Sequence, residues 1–407
     1  MLNFSVGTIV FGVLIFMMPL LMRISSKARP YIFLAVNAAV FLLTFNRIYA
    51  VVAAAAWILV PYFAAPLMVE SDGRGNRYFR TIFYIAMIMV FLYFMHYDWI
   101  VVFRKIPYFK ALKFLGLSYF LFREIDYTMQ YGYLKENRVK ISLVDYINYV
   151  TSLYTIMAGP ILRYEEFVTD FYDESKEELG TDGILDQLHR IIFGYFKLYV
   201  ISAFMSWMSG YWFGRITEAG NIFKAFIIYL IFAGFNAGFI YFNFVGYCDV
   251  VVGAARLAGF KLRENFDKPY MARSMVEFWN RHHITLSEWI RDYIYSPIIK
   301  KLLSGPFKKQ LFAAQCFALF MTFLIAGIWH GTNLNYVVYG LLEGLGVVIS
   351  SVRTQKLKKK LGKKGLKEYE KQKRVIIFEH CWTLLYVAVS FSFVGYDVIG
   401  MLTGVVK

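Results

Sequence analysis

Seven stretches of this chain, residues 3–22, 48–69, 82–103, 191–213, 223–246, 310–330 and 375–402, are apolar over a length that can cross about 30 Å of hydrocarbon. In lipid no water satisfies a backbone N–H or C=O, so such segments are restricted to helices. Shorter apolar stretches lie at 31–46, 112–123, 146–162 and 334–352; some of these candidates must be tilted, broken or re-entrant, which is tolerated only where protein or a water-filled cavity covers the backbone. The expectation is an all-α polytopic membrane protein. A hydrophobic content of 58% against 18% charged residues excludes an ordinary soluble domain. The first stretch has neither a basic leader nor a small-residue cleavage site, so it reads as a retained helix rather than a signal peptide.

The net charge of +16 would fit a nucleic-acid partner, but its distribution argues against one. Residues 353–374, RTQKLKKKLGKKGLKEYEKQKR, hold eleven Lys/Arg and two Glu and so carry +9 of that charge. Lying between two apolar stretches, this segment is expected to be a basic cytoplasmic loop drawn to anionic lipid. Contact with an acidic cytosolic protein is the alternative. The expected divisions are 1–110 (N-terminal transmembrane helices), 111–352 (a core with re-entrant and interfacial helices), 353–374 (the basic loop) and 375–407 (a last transmembrane helix). Basic residues also set an orientation: Arg23, Lys27 and Arg29, then Arg74, Arg77 and Arg80, then Lys300, Lys301, Lys308 and Lys309 belong inside. Both termini are then outside, and the 310–352 hairpin turns near the outer face at His330. Cys248, Cys316 and Cys381 are scattered in apolar surroundings without ligand spacing, so neither a disulfide framework nor a metal site is expected.

Two stretches do not look lipid-facing. In Asp145–Asp170 the Gly159-Pro160 pair breaks any helix, and Arg163, Glu165 and Glu166 follow at once. In Arg263–Lys301 charges and aromatics interleave, as in short amphipathic helices at an interface or around a cavity. Thr285 or Ser287 is the expected cap of the second helix there. On a continuous helix Trp279 and His283 share one face, and Phe278 and His282 share another. Both histidines can be read simply as interfacial residues. His330, in LIAGIWHGTN, ends an apolar run, and an ionisable group at that depth is a functional-site hypothesis by default. The competing reading is a structural hydrogen bond inside the hairpin, where Gly327, Gly331 and Asn333 allow close backbone approach. A neutral imidazole in a dry pocket suits general-base work. GxSxG, HExxH, P-loop and Rossmann patterns do not occur.

The stretches AGPILRYEEF (158–167), FNFVGYCDVVVGAARLAGF (242–260), ENFDKPYMARSMVEFWNRHHITLSEWIRDYIYSP (264–297) and GIWHGTNLNYVVYGLLEG (327–344) together resemble the membrane-bound O-acyltransferase superfamily. The resemblance is to its bacterial branch of alginate O-acetylation and teichoic-acid D-alanylation proteins, and covers most of the chain from about residue 112 onward. It implies a disc of about 11 transmembrane or re-entrant helices around a central tunnel, in a bacterial plasma membrane. It also implies that His330, in W-H-G, is the catalytic base and that His283, the last residue of F-W-x-R-x-H, is its partner. The family usually carries Trp at the position of His282. Tunnel or substrate contacts would come from Trp279, Asn280, Arg281, His282, Ser287, Arg291, Asp292, Trp329, Asn333 and Pro160. Arg163 and Asp249 are open between that role and structural ion pairs.

The implied reaction carries an acyl group from a cytoplasmic thioester to a hydroxyl of an extracytoplasmic polysaccharide or cell-wall polymer, with no tightly bound cofactor. The donor is an acetyl-CoA-like thioester or a D-alanyl-phosphopantetheinyl carrier protein. AGPILRYEEF, GYCDVVVGAARLAGF and RDYIYSP look more like the acetylating proteins, FWNR and NFDKPY more like the D-alanylating one, and acetyl is slightly favoured. An acyl carrier protein and an extracytoplasmic accessory acyltransferase would be partners, beside membrane lipid. From another class, a transporter, flippase or scaffold of polymer export fits the same hydropathy.

Overall fold

The computed structural model describes residues 17–22, 27–44, 48–69, 74–95, 117–156, 158–173 and 179–404. Most of the expected span at 3–22, together with Arg23, lies outside the described residues. The described chain is helical: α1 (Arg29–Thr44), α2 (Ile48–Val69), α3 (Arg74–Met95), α4 (Leu117–Glu136), α5 (Leu143–Val150), α6 (Tyr164–Phe171), α7 (Thr181–Phe196), α8 (Ser202–Arg215), α9 (Ile222–Leu257), α10 (Met275–Arg281), α11 (Ile284–Ile290), α12 (Ser296–Leu303), α13 (Leu311–His330), α14 (Leu334–Lys371), α15 (Lys373–Phe391) and α16 (Val398–Thr403). One π-helical turn, Lys197–Ile201, joins α7 to α8, and a second, Arg291–Tyr295, joins α11 to α12. Seven helical stretches are long and apolar enough to cross a membrane: Val51–Val69, Tyr78–Met95, Thr181–Arg215, Ile222–Leu257, Leu311–His330, Leu334–Lys371 and Lys373–Phe391. The protein is a multi-pass membrane protein.

The chain divides into two compact units. The first takes the described part of Met1–Tyr195 and the stretch Tyr247–Arg263; the second takes Phe196–Gly246 and Glu264–Lys407. In the first unit the apolar stretch at 146–162 is broken as expected: α5 ends at Val150 and regular helix resumes only at Tyr164. Gly159 takes φ +106°, a left-handed conformation suited to glycine, immediately before Pro160. The carbonyls freed by this break are covered by side chains. The fully buried Arg123 guanidinium donates to the carbonyls of Tyr149 (3.2 Å), Val150 and Thr155 (2.6 Å). The Tyr119 hydroxyl donates to Gly159 O (3.3 Å) and the Tyr149 hydroxyl to Leu162 O (3.1 Å), while Leu153 N–H donates to Asn37 Oδ1 (3.0 Å). Arg163 pairs with buried Asp126 at 2.9 Å, and that carboxylate also accepts from Tyr164 N–H at 2.9 Å. Asp249 pairs with Arg190 at 3.0 Å.

The second unit is organised by the α13–α14 hairpin. Gly327 and Gly340 face each other so closely that a Cβ on Gly327 would lie 2.4 Å from Gly340 Cα. Small residues at such a crossing let two helix backbones touch in lipid, where dispersion packing replaces the hydrophobic drive. The stretch at 375–402 is not the single span expected of it. Helix α15 ends at Phe391, and Gly395 (φ +85°) and the capping Asp397 lead into the separate α16. Asn236, 1% exposed, donates to the carbonyls of Phe391 (2.8 Å) and Val394 (3.1 Å) that this break frees.

The basic segment 353–374 is not a loop either. It continues α14 to Lys371, kinked at Gly362 (φ +67°), and α15 follows after the extended Gln372. Lys, Leu, Gln and Glu are all strong helix formers, and a charged helix needs no apolar face to persist outside the hydrocarbon. Its base is held by Glu379, whose oxygens accept from Arg353 Nη1 and from Arg273 Nη2, each at 2.7 Å.

Arg123→Lys replaces a forked donor that reaches three carbonyls with a single ammonium. It is expected to cost about 3 kcal/mol or more, because buried carbonyls are left unpaired. Thermal melts of the full chain in detergent measure this, and an unchanged midpoint would show that the break does not depend on the guanidinium.

Candidate functional site

Residues 264–303 of the second unit fold as a chain of short turns, for local reasons. Ser274 caps α10 by accepting from Glu277 N–H at 3.1 Å, and the Glu277 carboxylate returns the favour to Arg273 N–H at 2.9 Å. Helix α10 stops at Arg281 because the next two residues leave helical space: His282 is extended (φ −108°, ψ 126°) and His283 is left-handed (φ +48°). Backbone bonds across the break tie it to residues 265–267. Asp267 N–H donates to Arg281 O at 2.9 Å and Ile284 N–H to Asn265 O at 3.0 Å, with a bridge between Phe266 and His282. Of the two shared-face pairs expected on one continuous helix, Phe278 and His282 still meet, with stacked rings 4.9 Å apart, whereas the turn at His283 carries that ring away from Trp279 to Phe244. Neither Thr285 nor Ser287 caps α11; its N-cap is His283, without a side-chain capping bond. Cross-chain hydrogen bonds to the 265–267 strand-like segment outweigh local capping.

A left-handed non-glycine residue is uncommon and persists only when its surroundings hold it. At His283 the holder is Asn265. Its Oδ1 accepts from Thr285 N–H (3.2 Å) and from Thr285 Oγ1 (2.9 Å), and lies 3.2 Å from His283 Nδ1. The backbone N–H can only donate, so the Asn265 atom facing it is the oxygen. His283 Nδ1 must then carry the proton, which leaves Nε2 with its lone pair. The ring also meets Phe244 edge-on, centroids 4.7 Å apart. His282 stacks on Phe278 at 4.9 Å and is ringed by Phe266, Trp279 and Phe391. Burial pushes both imidazoles down, with charge on His330 acting in the same direction; His282 falls to about 3 and His283 well below its ordinary value. Both are neutral at working pH.

His330 ends α13, and Gly331 and Asn333 carry the chain into α14. The Asn333 side chain accepts from Asn335 N–H at 3.1 Å. A Cβ on Gly331 would strike the Tyr336 ring, which packs directly on the turn. The His330 ring lies 4.5 Å from that of Trp329 and 5.6 Å from that of Tyr339, centroid to centroid. It lines a cavity of about 330 Å³ inside the second unit. Of the residues expected at a tunnel, Trp279, Asn280, Ser287 and Arg291 line this cavity beside His330.

The other expected site residues are elsewhere. His282 and His283 sit behind the cavity wall rather than in its lining. Arg281 turns to Glu277 (2.9 Å) and Asp267 (3.7 Å), and Asp292 pairs with Arg291 at 3.6 Å. The Trp329 ring lies tilted against that of His330, and Asn333 serves as a cap. Pro160, Arg163 and Asp249 belong to the first unit, the latter two in the ion pairs described above.

Two further lining residues escaped the sequence reading, Tyr339 and Glu343. Glu343 is 1% exposed; Oε2 accepts from Trp279 Nε1 at 2.9 Å and Oε1 from Ser390 Oγ at 2.6 Å. The signal was present: Glu343 is the only acid between Gln310 and Arg353, a stretch otherwise built to cross a membrane.

Residues 107–359 match the profile of MBOAT, the membrane-bound O-acyltransferase family. The chain is 29% identical over 279 residues to a teichoic acid D-alanyltransferase of Streptococcus thermophilus, covering 66% of each. It is 29% identical over 236 residues to a probable alginate O-acetylase of Pseudomonas putida, covering 58% of this chain and 45% of that one. To a peptidoglycan O-acetyltransferase of Helicobacter pylori it is 32% identical over 206 residues, covering 51% and 37%. The chain thus spans two thirds or less of the length of these relatives.

Asn265→Ala removes the acceptor shared by His283 and Thr285 and is expected to cost about 2 kcal/mol or more. Asn265→Asp keeps the oxygens and is expected to cost less. Equal thermal midpoints for the two variants would show that this oxygen does not anchor the His283 turn.

Proposed function

The chain belongs to the membrane-bound O-acyltransferase family, and on that premise we propose that it transfers an acyl group from a thioester donor to a hydroxyl of an extracytoplasmic polysaccharide or cell-wall polymer in a bacterial plasma membrane. The observation that carries this reading is His330, an imidazole that lines the cavity at the end of a hydrophobic helix, with Tyr339 across from it.

In the proposed reaction a ring nitrogen of His330 takes the proton of the acceptor hydroxyl as its oxygen attacks the thioester carbonyl. The tetrahedral oxyanion collapses, the C–S bond breaks, and the departing thiolate takes the proton from the imidazolium. One ester forms, one thiol leaves, and the histidine returns to its neutral form, so no acyl-enzyme is needed. His283, fixed by Asn265 with its Nε2 lone pair unprotonated, acts as a positioning residue behind the cavity wall. The neutral state favoured for both neighbouring histidines keeps positive charge away from a base that must accept a proton.

Donor and acceptor follow from the relatives by analogy. Their names span D-alanyl and acetyl transfer, onto teichoic acid, alginate and peptidoglycan. A carrier protein on the cytoplasmic side would meet the exposed lysines of 356–373, and an accessory extracytoplasmic acyltransferase would complete polymer modification. An orientation with both termini outside brings that basic helix to the cytoplasm and the His330 turn toward the acceptor.

His330→Ala is expected to lower polymer esterification by about a hundredfold or more, the scale of a general base, at equal protein level. His283→Ala is expected to lower it less. Mass spectrometry of the alkali-released acyl group reads both and identifies the acyl. Wild-type esterification by His330→Ala would overturn the proposal.

A further inference from the structure

A chain of net charge +16 has an acidic cavity at its site. The charged groups in the cavity lining are Glu288, Glu343 and Arg291, set around the imidazole of His330. Arg291 is directed outward, its side chain 59% exposed and beside Asp292. Glu343 is the opposite case, buried and held on both oxygens by neutral donors, Trp279 Nε1 and Ser390 Oγ. Among the described residues no Lys, Arg or His comes within ion-pair distance of its carboxyl. A buried carboxylate is ordinarily paired with a cation or bound to a metal. Here the fold supplies two hydrogen bonds and no counter-charge, and each carboxylate oxygen keeps a further lone pair.

The neighbourhood says what the missing partner is. Trp279, Phe323 and Tyr339 line the same space, and aromatic rings beside a carboxylate are the chemistry that holds an ammonium. Glu343 stands one helical turn after Tyr339, so the two side chains share a face about 5–6 Å apart, and the Tyr339 ring is 5.6 Å from that of His330. An ammonium on Glu343 would therefore sit close to the reacting carbonyl or hydroxyl. Among the described residues no set of three or more His, Cys, Asp and Glu side chains gathers to hold a metal, and the aromatic lining suits an organic cation.

We propose that Glu343 is a specificity-determining residue whose carboxylate binds a primary ammonium carried by one of the two substrates, next to the atoms that react at His330. This inference rests on the acyl-transfer reading and narrows its substrate class. The ammonium has two possible sources, the α-amino group of an aminoacyl thioester or an amino substituent on the acceptor.

The test uses the full chain in nanodiscs. The donors are alanyl- and isobutyryl-pantetheine, which share a shape and differ by ammonium against methyl, and the acceptors are glucose and glucosamine oligomers. Ester formation is read as alkali-labile acyl on the acceptor. If the acyl group carries the ammonium, wild type prefers alanyl over isobutyryl by about tenfold or more on the glucose oligomer. If the acceptor carries it, wild type prefers glucosamine over glucose oligomers by a similar factor with the isobutyryl donor. In either case Glu343→Gln brings that ratio near unity, and Glu343→Asp, which keeps the charge, retains part of it. Wild type without either preference overturns the proposal whether or not the variants fold. A preference that persists unchanged in Glu343→Gln, or in Glu343→Asp and Ser390→Ala should Glu343→Gln not fold, overturns it as well. The acyl-transfer reading fails separately, by transfer that is indifferent to His330→Ala with every donor.

Discussion

The breaks in the described helices are governed by one constraint: a backbone carbonyl or amide at hydrocarbon depth has to find its hydrogen bond inside the protein. Where helices run unbroken they meet it themselves. Where they break, a buried polar side chain from elsewhere does the work. Arg123 covers the carbonyls at Tyr149, Val150 and Thr155, and Asn236 covers those at Phe391 and Val394. Asn265 covers the amide of Thr285 and so stabilises the left-handed turn at His283. The same device serves two structural breaks and one at the site, which is why charged and amide side chains are buried in so apolar a chain.

The site uses a second economy of space. Gly327 and Gly340 bring α13 and α14 into backbone contact, so the hairpin carrying His330 is rigid without bulky packing between its helices. The facing wall is made of short helical pieces and a π-helical turn, elements whose ends place side chains at angles a long helix cannot. Trp279, Asn280, Ser287 and Arg291 reach the cavity from those pieces, while His282 and His283 are withdrawn behind them among aromatic rings. The lining thus holds two acids, Glu288 and Glu343, beside one cation, Arg291, inside a strongly basic protein.

Much of this was legible in the sequence. Hydropathy located most of the membrane helices in the described chain, although Leu334–Lys371, read as a short stretch at 334–352, is a long helix, and Gly159-Pro160 announced the break at 151–163. The break inside 375–402 was missed, because Ser392, Gly395 and Asp397 stand singly among apolar residues and the partner that stabilises it, Asn236, lies 155 residues away from Phe391. The helix at 353–371 was missed for the opposite reason: charge was taken as a mark of loop, whereas lysine and leucine together favour helix. At the site, motif resemblance singles out His330 and His283, and the interleaved charges and aromatics point to short helices, but the boundary between them falls at His282-His283 rather than at Thr285 or Ser287. The exchange of backbone bonds between residues 265–267 and 281–284 sets it there.

What the sequence determined by itself is everything that depends on the solvent each segment must face. Apolar length dictates a helical multi-pass protein, and an ionisable residue at the end of such a length, His330, is what the sequence offers as a site. The tertiary structure decided which residues meet. Glu343 reaches Trp279 and Ser390 across separations of 64 and 47 residues, and the three are neighbours only because α10, α14 and α15 pack together. Hydrogen-bond partnership at that range depends on the register of packed helices, which no local pattern of residues encodes.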